Sequence, residues 1–158
     1  MIKLIPLSEA DFQTHLAFVI DDYAQDHVTA GNWPAEGARE RSEKEFQQLL
    51  PQGLATPEQY LLAIYDDELE QKVGLLWFAV DEQHKPPSAF IYDFLIDEAY
   101  RRRGYGRFAL LALEEKAREM GIGQIALHVF GHNHAARALY DQLGYEATNI
   151  HMAKKVDL

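Results

Sequence analysis

Between Ala89 and Met120 the sequence changes period, and this stretch does most to limit the possible folds. The run AFIYDFLI, Ala89 to Ile96, is apolar and rich in aromatic and branched residues, as a strand would be. From Tyr105 to Met120 apolar side chains recur at three- and four-residue intervals, which predicts an amphipathic helix, with Gly121 placed to end it. Between them stands Arg101-Arg102-Arg103-Gly104-Tyr105-Gly106-Arg107. The two glycines permit positive φ and let a ligand approach the backbone closely. The first turn of the helix leaves N–H groups unpaired and presents the positive end of the helix dipole, a natural seat for an anion. Four arginines around that end oppose the dipole of their own helix, an arrangement that makes sense with a polyanion such as a diphosphate above it.

The other elements follow from the same patterns. Ile2 to Leu7 reads as a first strand. Ser8 caps a helix carrying Phe12, Leu16, Val19, Ile20 and Tyr23 on one face, and a second helix runs from Glu36 or Gly37 to Leu50. Strand-like runs at Tyr60 to Tyr65, Lys72 to Val80 and Ala89 to Ile96 are joined by short turns, which implies an antiparallel meander. Ile125 to Phe130 is a further strand, Asn133 caps a helix to Leu143, and Asn149 to Val156 is expected as a final strand. The order is β-α-α-β-β-β-α-β-α-β. It describes one mixed α/β domain over residues 1–158, with a central, mostly antiparallel sheet flanked by helices.

Composition narrows the chemistry. With 158 residues, 47% apolar, the chain can bury a core without staples, and with no cysteine it has no disulfide, thiolate metal site or cysteine nucleophile. No apolar run approaches a membrane span and the first residues lack a secretory pattern, so a cytoplasmic protein is expected. A net charge of −10 argues against nucleic acid as a partner. The charge is uneven: residues 1–100 carry 6 Lys/Arg against 19 Asp/Glu, and residues 101–158 carry 9 against 6. The second half can therefore hold a small polyanion that the first half would repel.

Two chemistries use a glycine turn of this kind. Gly104-x-Gly106-x-x-Ala109 matches a dinucleotide fingerprint, but that reading needs an acid at the end of the following strand, and QIALHVF has none. Only 49 residues remain after Ala109, too few for such a fold and a substrate domain. The second reading begins from Arg101-x-x-Gly104-x-Gly106. Here the chain resembles the GNAT superfamily of N-acetyltransferases, whose acetyl-CoA signature is Gln/Arg-x-x-Gly-x-Gly/Ala between a strand and a helix. The likeness continues through Leu127-His128-Val129-x-x-x-Asn133-x-x-Ala136-x-x-Leu139-Tyr140-x-x-Leu143-Gly144-Tyr145, and the element order agrees. Asp97-Glu98-Ala99 stands where the family more often has a proline before the signature.

The resemblance implies acetyl transfer from acetyl-CoA directly to an amine of a small molecule or protein, without an acyl-enzyme. It implies that the backbone of Leu95 and Ile96 receives the pantetheine arm and acetyl carbonyl. Residues Arg101, Arg102, Arg103, Gly104, Tyr105, Gly106 and Arg107 would cradle the pyrophosphate. Asn133 and Ala136 would meet the cofactor arm, and Tyr140 would protonate the departing thiolate. A phenol, with an ordinary pKa of about 10, is protonated at neutral pH and can do so. Asp93, the only acid within AFIYDFLI, is the candidate for catalysis or acceptor contact, expected on the face of Leu95 and opposite Tyr92 and Phe94. His128, His132 and His134 are expected to hold no metal. The first two helices carry Asp21, Asp22, Asp26, Trp33 and Glu36, acids beside an aromatic that would favour a cationic amine. The alternative is a non-catalytic CoA-binding or regulatory module of the same fold. The last strand, NIHMAKKV, offers an edge through which a homodimer could pair.

Overall fold

The first strand and helix are set by local chemistry. Ser8 takes an extended conformation and its Oγ accepts a hydrogen bond from the Asp11 amide at 3.1 Å, starting α1 (Glu9–Thr29) immediately after β1 (Ile2–Pro6). The computed structural model describes residues 1–158. It continues through α2 (Ala38–Leu49), β2 (Gln59–Asp66), β3 (Gln71–Asp81), β4 (Ser88–Ile96), α3 (Tyr105–Glu119), β5 (Gln124–Leu127) and α4 (His134–Gln142). The strands form one sheet in the order β1-β2-β3-β4-β5. All neighbours are antiparallel except β4 and β5, which are parallel and joined by α3 as a crossover.

Each face of the sheet has its own core. Leu62, Ile64, Leu76 and Phe78 point to α3, where Leu110 and Leu113 are fully buried, and Leu139 and Leu143 of α4 pack at its margin. Leu61, Ala63, Leu75 and Trp77 point the other way, onto Phe12, Val19 and Ile20 of α1 and Phe46 of α2. The continuous apolar run of β3 is thus explained by helices on both faces. Replacing Leu110 or Leu113 by alanine should cost about 2–5 kcal/mol, the usual range for emptying a filled core position.

Three sequence expectations need correction. The strand expected over Ile125 to Phe130 ends at Leu127, because Phe130 turns away to pack against His27 and Tyr23 of α1, at ring separations of 5.0 and 6.4 Å. The strand expected over Asn149 to Val156 does not form: residues 146–158 have no regular structure and are exposed throughout. In β4 the register jumps from Trp77 opposite Asp93 to Phe78 opposite Ile91, leaving Tyr92 as an inserted residue. Asp93 and Tyr92 therefore both lie on the α1/α2 side, where Tyr92 packs 5.0 Å from Trp77, whereas Phe94 packs into the α3 core.

Candidate functional site

The sheet opens between β4 and β5. The parallel ladder runs from Ser88 opposite Gln124 to Ile91 opposite Leu127 and stops, while β4 continues five residues further to Ile96. Along Tyr92–Ile96 the β5 side of β4 has no strand partner. On its other side β4 remains locked to β3, and Gly74 makes that possible, since a Cβ there would sit 2.3 Å from the Leu95 carbonyl oxygen. The bulge at Tyr92 lies where the two strands part.

Beneath the opening is a cavity of about 690 Å³ walled by α1, α2, β4 and the segment after β5. Asp93 reaches its wall. Its Oδ1 accepts from the Phe94 amide at 3.0 Å, and its Oδ2 lies 2.5 Å from His15 Nε2. His15 is itself only 10% exposed and stands behind Asp93, so the carboxylate faces the cavity and the imidazole supports it. Tyr140 of α4 lines the opposite side. Its hydroxyl makes no hydrogen bond within the chain, and burial, with the Asp93 charge adding to it, pushes its pKa up to about 12. Protonated Tyr140 and Asp93 are thus brought to one cleft from positions 47 residues apart.

The acidic and aromatic lining comes from helix faces. Asp22 and Asp26 follow one another at a four-residue step on α1, and Glu45 joins them from α2. Burial, then the charges of Asp26 and Asp93, hold the Asp22 carboxyl above its ordinary range. Tyr23, Phe46, Phe90, Tyr92 and Phe130 supply aromatic walls. The Tyr23 phenol is pushed up to about 12 by burial and by neighbouring Glu45. His27 stacks on Trp33 at 4.0 Å, and burial lowers its pKa. Asn32 Nδ2 is 3.1 Å from His27 Nδ1, and His27 Nε2 is buried without a hydrogen-bond partner. Across the mouth, His132 Nε2 meets Asp26 Oδ1 at 3.3 Å, linking the segment before α4 to α1.

The glycine turn lies at the other end of the opening. Gly104 holds φ +83° and precedes α3 without any side-chain cap. The first helical bond runs from the Phe108 amide to the Gly104 carbonyl, leaving the amides of Tyr105, Gly106 and Arg107 without helical partners. Arg101, Arg102 and Arg103 are exposed around them, with Arg102 at φ +63°. Arg101 Nε donates to the Ile96 carbonyl at 2.9 Å, fixing the turn to the end of β4. The Tyr105 phenol is occupied elsewhere, donating to Asp66 Oδ2 at 2.5 Å; this bond lowers the Asp66 pKa and raises that of Tyr105. Tyr105 thus offers the site its amide and gives its side chain to the fold. Gly106 packs close under Leu139, where a Cβ would approach to 3.1 Å.

Asp93, Leu95, Asn133 and Tyr140 line the cavity; Ile96 and Arg101–Arg107 do not, and belong to the end of β4 and the turn that Arg101 ties to it. Asn133 caps α4, its Oδ1 accepting from the Ala136 amide at 3.4 Å, which leaves its amide nitrogen free. Of the expected acceptor residues, Asp22 and Asp26 line the cavity; Asp21 instead pairs with Arg39 at 2.8 Å, Trp33 is buried behind His27, and Glu36 is exposed. His128 packs edge-on against Phe130 and His132 turns to Asp26. Sequence reading missed His15, Glu45 and His27. His15 had a visible signal, since it falls inside the Phe12-Leu16-Val19 stripe of α1, where a polar ring needs a buried partner.

Comparison with known proteins bears on this geometry. Residues 17–145 match the model of the Acetyltransferase (GNAT) family. The chain is 42% identical to the uncharacterised N-acetyltransferase YycN of Bacillus subtilis over 98% of its own length and 99% of that protein's. It is 37% identical to a second B. subtilis N-acetyltransferase, the likewise uncharacterised YdgE, over 95% of both chains. The crystal structure of the YycN acetyltransferase superposes with a TM-score of 0.95 over 100% of both chains.

Proposed function

Because the chain belongs to the GNAT acetyltransferase family, we propose that it transfers an acetyl group from acetyl-CoA to a primary amine, residues 1–158 working as one domain. The observation that carries this reading is the parting of β4 from β5 at Ile91 and Leu127, above a cavity that holds both Asp93 and Tyr140.

The residues present suit the co-substrate. Three unpartnered helix amides, two glycines and Arg101, Arg102, Arg103 and Arg107 suit a diphosphate. The unpaired side of β4 at Leu95 and Ile96 suits a peptide-like pantetheine arm, which the free amide nitrogen of Asn133 and the neighbouring Ala136 would meet. Bound acetyl-CoA supplies a thioester carbonyl as the electrophile. An amide on the free side of β4 stabilises the charge that develops on that oxygen.

The chain's own groups then handle amine and protons. Asp22, Asp26 and Glu45 attract a cationic amine into an aromatic-walled cavity. The ammonium first gives one proton to water, and Asp93, held through both oxygens by His15 and the Phe94 amide, accepts the second as the uncharged nitrogen attacks. Tyr140 Oη keeps its proton at neutral pH and delivers it to the leaving sulfur.

The test is release of free thiol from acetyl-CoA in the presence of polyamines, lysine peptides and aminoglycosides. The absence of cysteine removes any protein background from such an assay. Thiol release matched by an acceptor one acetyl group heavier is the expected result. Tight CoA binding without turnover on any amine would instead favour the non-catalytic module.

A further inference from the structure

α3 starts without the device that starts α1 and α4. Ser8 and Asn133 cap those helices with a side-chain oxygen, whereas Gly104 stands before α3 at φ +83° with no side chain to offer. A capping oxygen there would satisfy the amides of the first turn and repel any anion brought to them. The uncapped end keeps its amides free but lacks local support. Arg101, Arg102, Arg103 and Arg107 oppose the helix dipole at the same place and weaken the first turn further. A helix end of this kind frays unless something outside the turn holds it.

The hold comes from the sheet. Tyr105, the first residue of α3, donates its phenol proton to Asp66 Oδ2 at 2.5 Å, across 39 residues of sequence. Asp66 is the one charged residue among the buried ones, and it is fixed on several sides. It closes β2, opposite Ile2 of β1 and Gln71 of β3 in the two ladders. Its Oδ1 accepts from the Glu68 amide at 2.9 Å and locks the turn between β2 and β3. Oδ2 is left for Tyr105, and a buried carboxylate oxygen needs such a donor. The Tyr105 ring also meets Tyr100 edge-on at 6.1 Å, and the Arg103 guanidinium lies 5.8 Å over Tyr100. Asp66, Tyr105, Tyr100 and Arg103 thus form one chain of contacts from a corner of the sheet to the arginine turn. Because ring and amide hang from one Cα, fixing the Tyr105 ring restricts where its amide can point.

We propose that Asp66 is a positioning residue for the cofactor's diphosphate: through the Tyr105 hydroxyl it anchors the uncapped start of α3, so that the amides of Tyr105, Gly106 and Arg107 stay aimed at the anion. The inference rests on the reading of this turn as the seat of the acetyl-CoA diphosphate. Asp66 does not touch the ligand. It replaces the missing cap from the sheet, and the length of a tyrosine keeps its negative charge a ring's length from the Tyr105 backbone.

Calorimetric titration of the full chain with CoA, and with pantetheine, which lacks the diphosphate, tests this. Tyr105→Phe keeps the ring and removes the donor. It should weaken CoA about tenfold, as the loss of one charge-assisted hydrogen bond does, and leave pantetheine unchanged. Asp66→Ser keeps an acceptor for the Glu68 amide, removes the one for Tyr105, and should weaken CoA to a similar extent. If the two residues act through one another, the double variant weakens CoA no further than either single one. Should Asp66→Ser fail to fold, Tyr105→Phe carries the test alone. A bond that serves only the fold lowers Tm without separating the two ligands. Unchanged CoA affinity, a fall shared equally by CoA and pantetheine, or additive losses in the double variant would each overturn the proposal. Turnover judges the catalytic reading separately: a parent that binds CoA and acetylates no amine refutes the reaction, while the titrations still decide on the anchor. A parent that binds neither CoA nor inorganic pyrophosphate overturns both.

Discussion

The two halves of β4 share one strand and behave oppositely. Ser88–Ile91 is paired on both sides, and Ala89 and Ile91 are buried in the α3 core. Asp93–Ile96 is paired only with β3, Tyr92 is the bulged residue without a partner, and Tyr92–Leu95 line the cavity. The closed half spends its backbone groups on the sheet and its side chains on the core. The open half leaves one row of backbone groups without a strand partner and turns Tyr92 and Asp93 to the same side through a bulge. The candidate site sits where pairing is withheld, and the buried core where it is complete.

If the open half is where chemistry happens, the largest effect should come from the group facing it across the cleft. Tyr140→Phe is expected to lower kcat by ~10²–10⁴-fold, the usual worth of a general acid, with the KM for acetyl-CoA little changed. Equal turnover would remove the acid role and leave Tyr140 a packing residue. His15→Ala should cost less, and its signature is a shifted pH profile of kcat, because it acts through Asp93.

Next in size is a change aimed at the paired side. Gly74→Val forces a side chain against the Leu95 carbonyl and should push β4 away from β3. Overpacking of this kind costs about 1–3 kcal/mol. Calorimetry should show the fall as a Tm lower by roughly 2–4 °C per kcal/mol. Acetyl-CoA affinity should fall with it, since Leu95 is displaced. A Tm loss with unchanged affinity would separate the two halves that are here treated as one strand.

How far these contrasts were readable beforehand depended on sequence distance. Elements through α4 are laid down by local period, caps and glycines, so their order and most ends are visible in the sequence. The turn at Gly104 and the pair Asn133 and Tyr140 are also visible, because each belongs to a short motif. The His15–Asp93 contact spans 78 residues and needs the sheet to exist first. The Tyr92 bulge is a matter of register between strands and leaves no mark in periodicity, which is why Asp93 and Tyr92 were expected on opposite sides. The C-terminal residues have a strand's alternation, but a strand also requires a partner, and residues 146–158 pair with none.

A smaller effect concerns the buried tyrosines of the cavity and of the groove beside β5 under alkali. Tyr23, Tyr140 and Tyr145 each have a pKa raised by burial to about 12, against about 10 for an unfolded chain. The folded state holds these protons more tightly, so their contribution is complete below pH 10 and is lost as pH rises through 12. Tm should therefore fall between pH 10 and 12, less steeply in Tyr140→Phe. A flat profile would mean that these phenols titrate as if exposed.

The smallest expected effect is also the most discriminating, because it pulls the two properties apart. Burial and the neighbouring Asp26 and Asp93 raise the Asp22 pKa above 3.8, so ionised Asp22 at neutral pH is less comfortable folded than unfolded. Asp22→Asn should then raise Tm slightly at pH 7, and the gain should vanish as pH falls through the folded pKa and below 3.8, where the native residue is protonated in both states. Such a strained acid is tolerated if a cationic amine relieves it, so the same variant should raise the acceptor KM while leaving acetyl-CoA binding alone. A higher Tm with an unchanged acceptor KM would mean that the acid strains the fold without serving the substrate. A lower Tm would mean that Asp22 makes a favourable contact in the cavity wall, and the division between a stable closed half and a strained open one would fail at this residue.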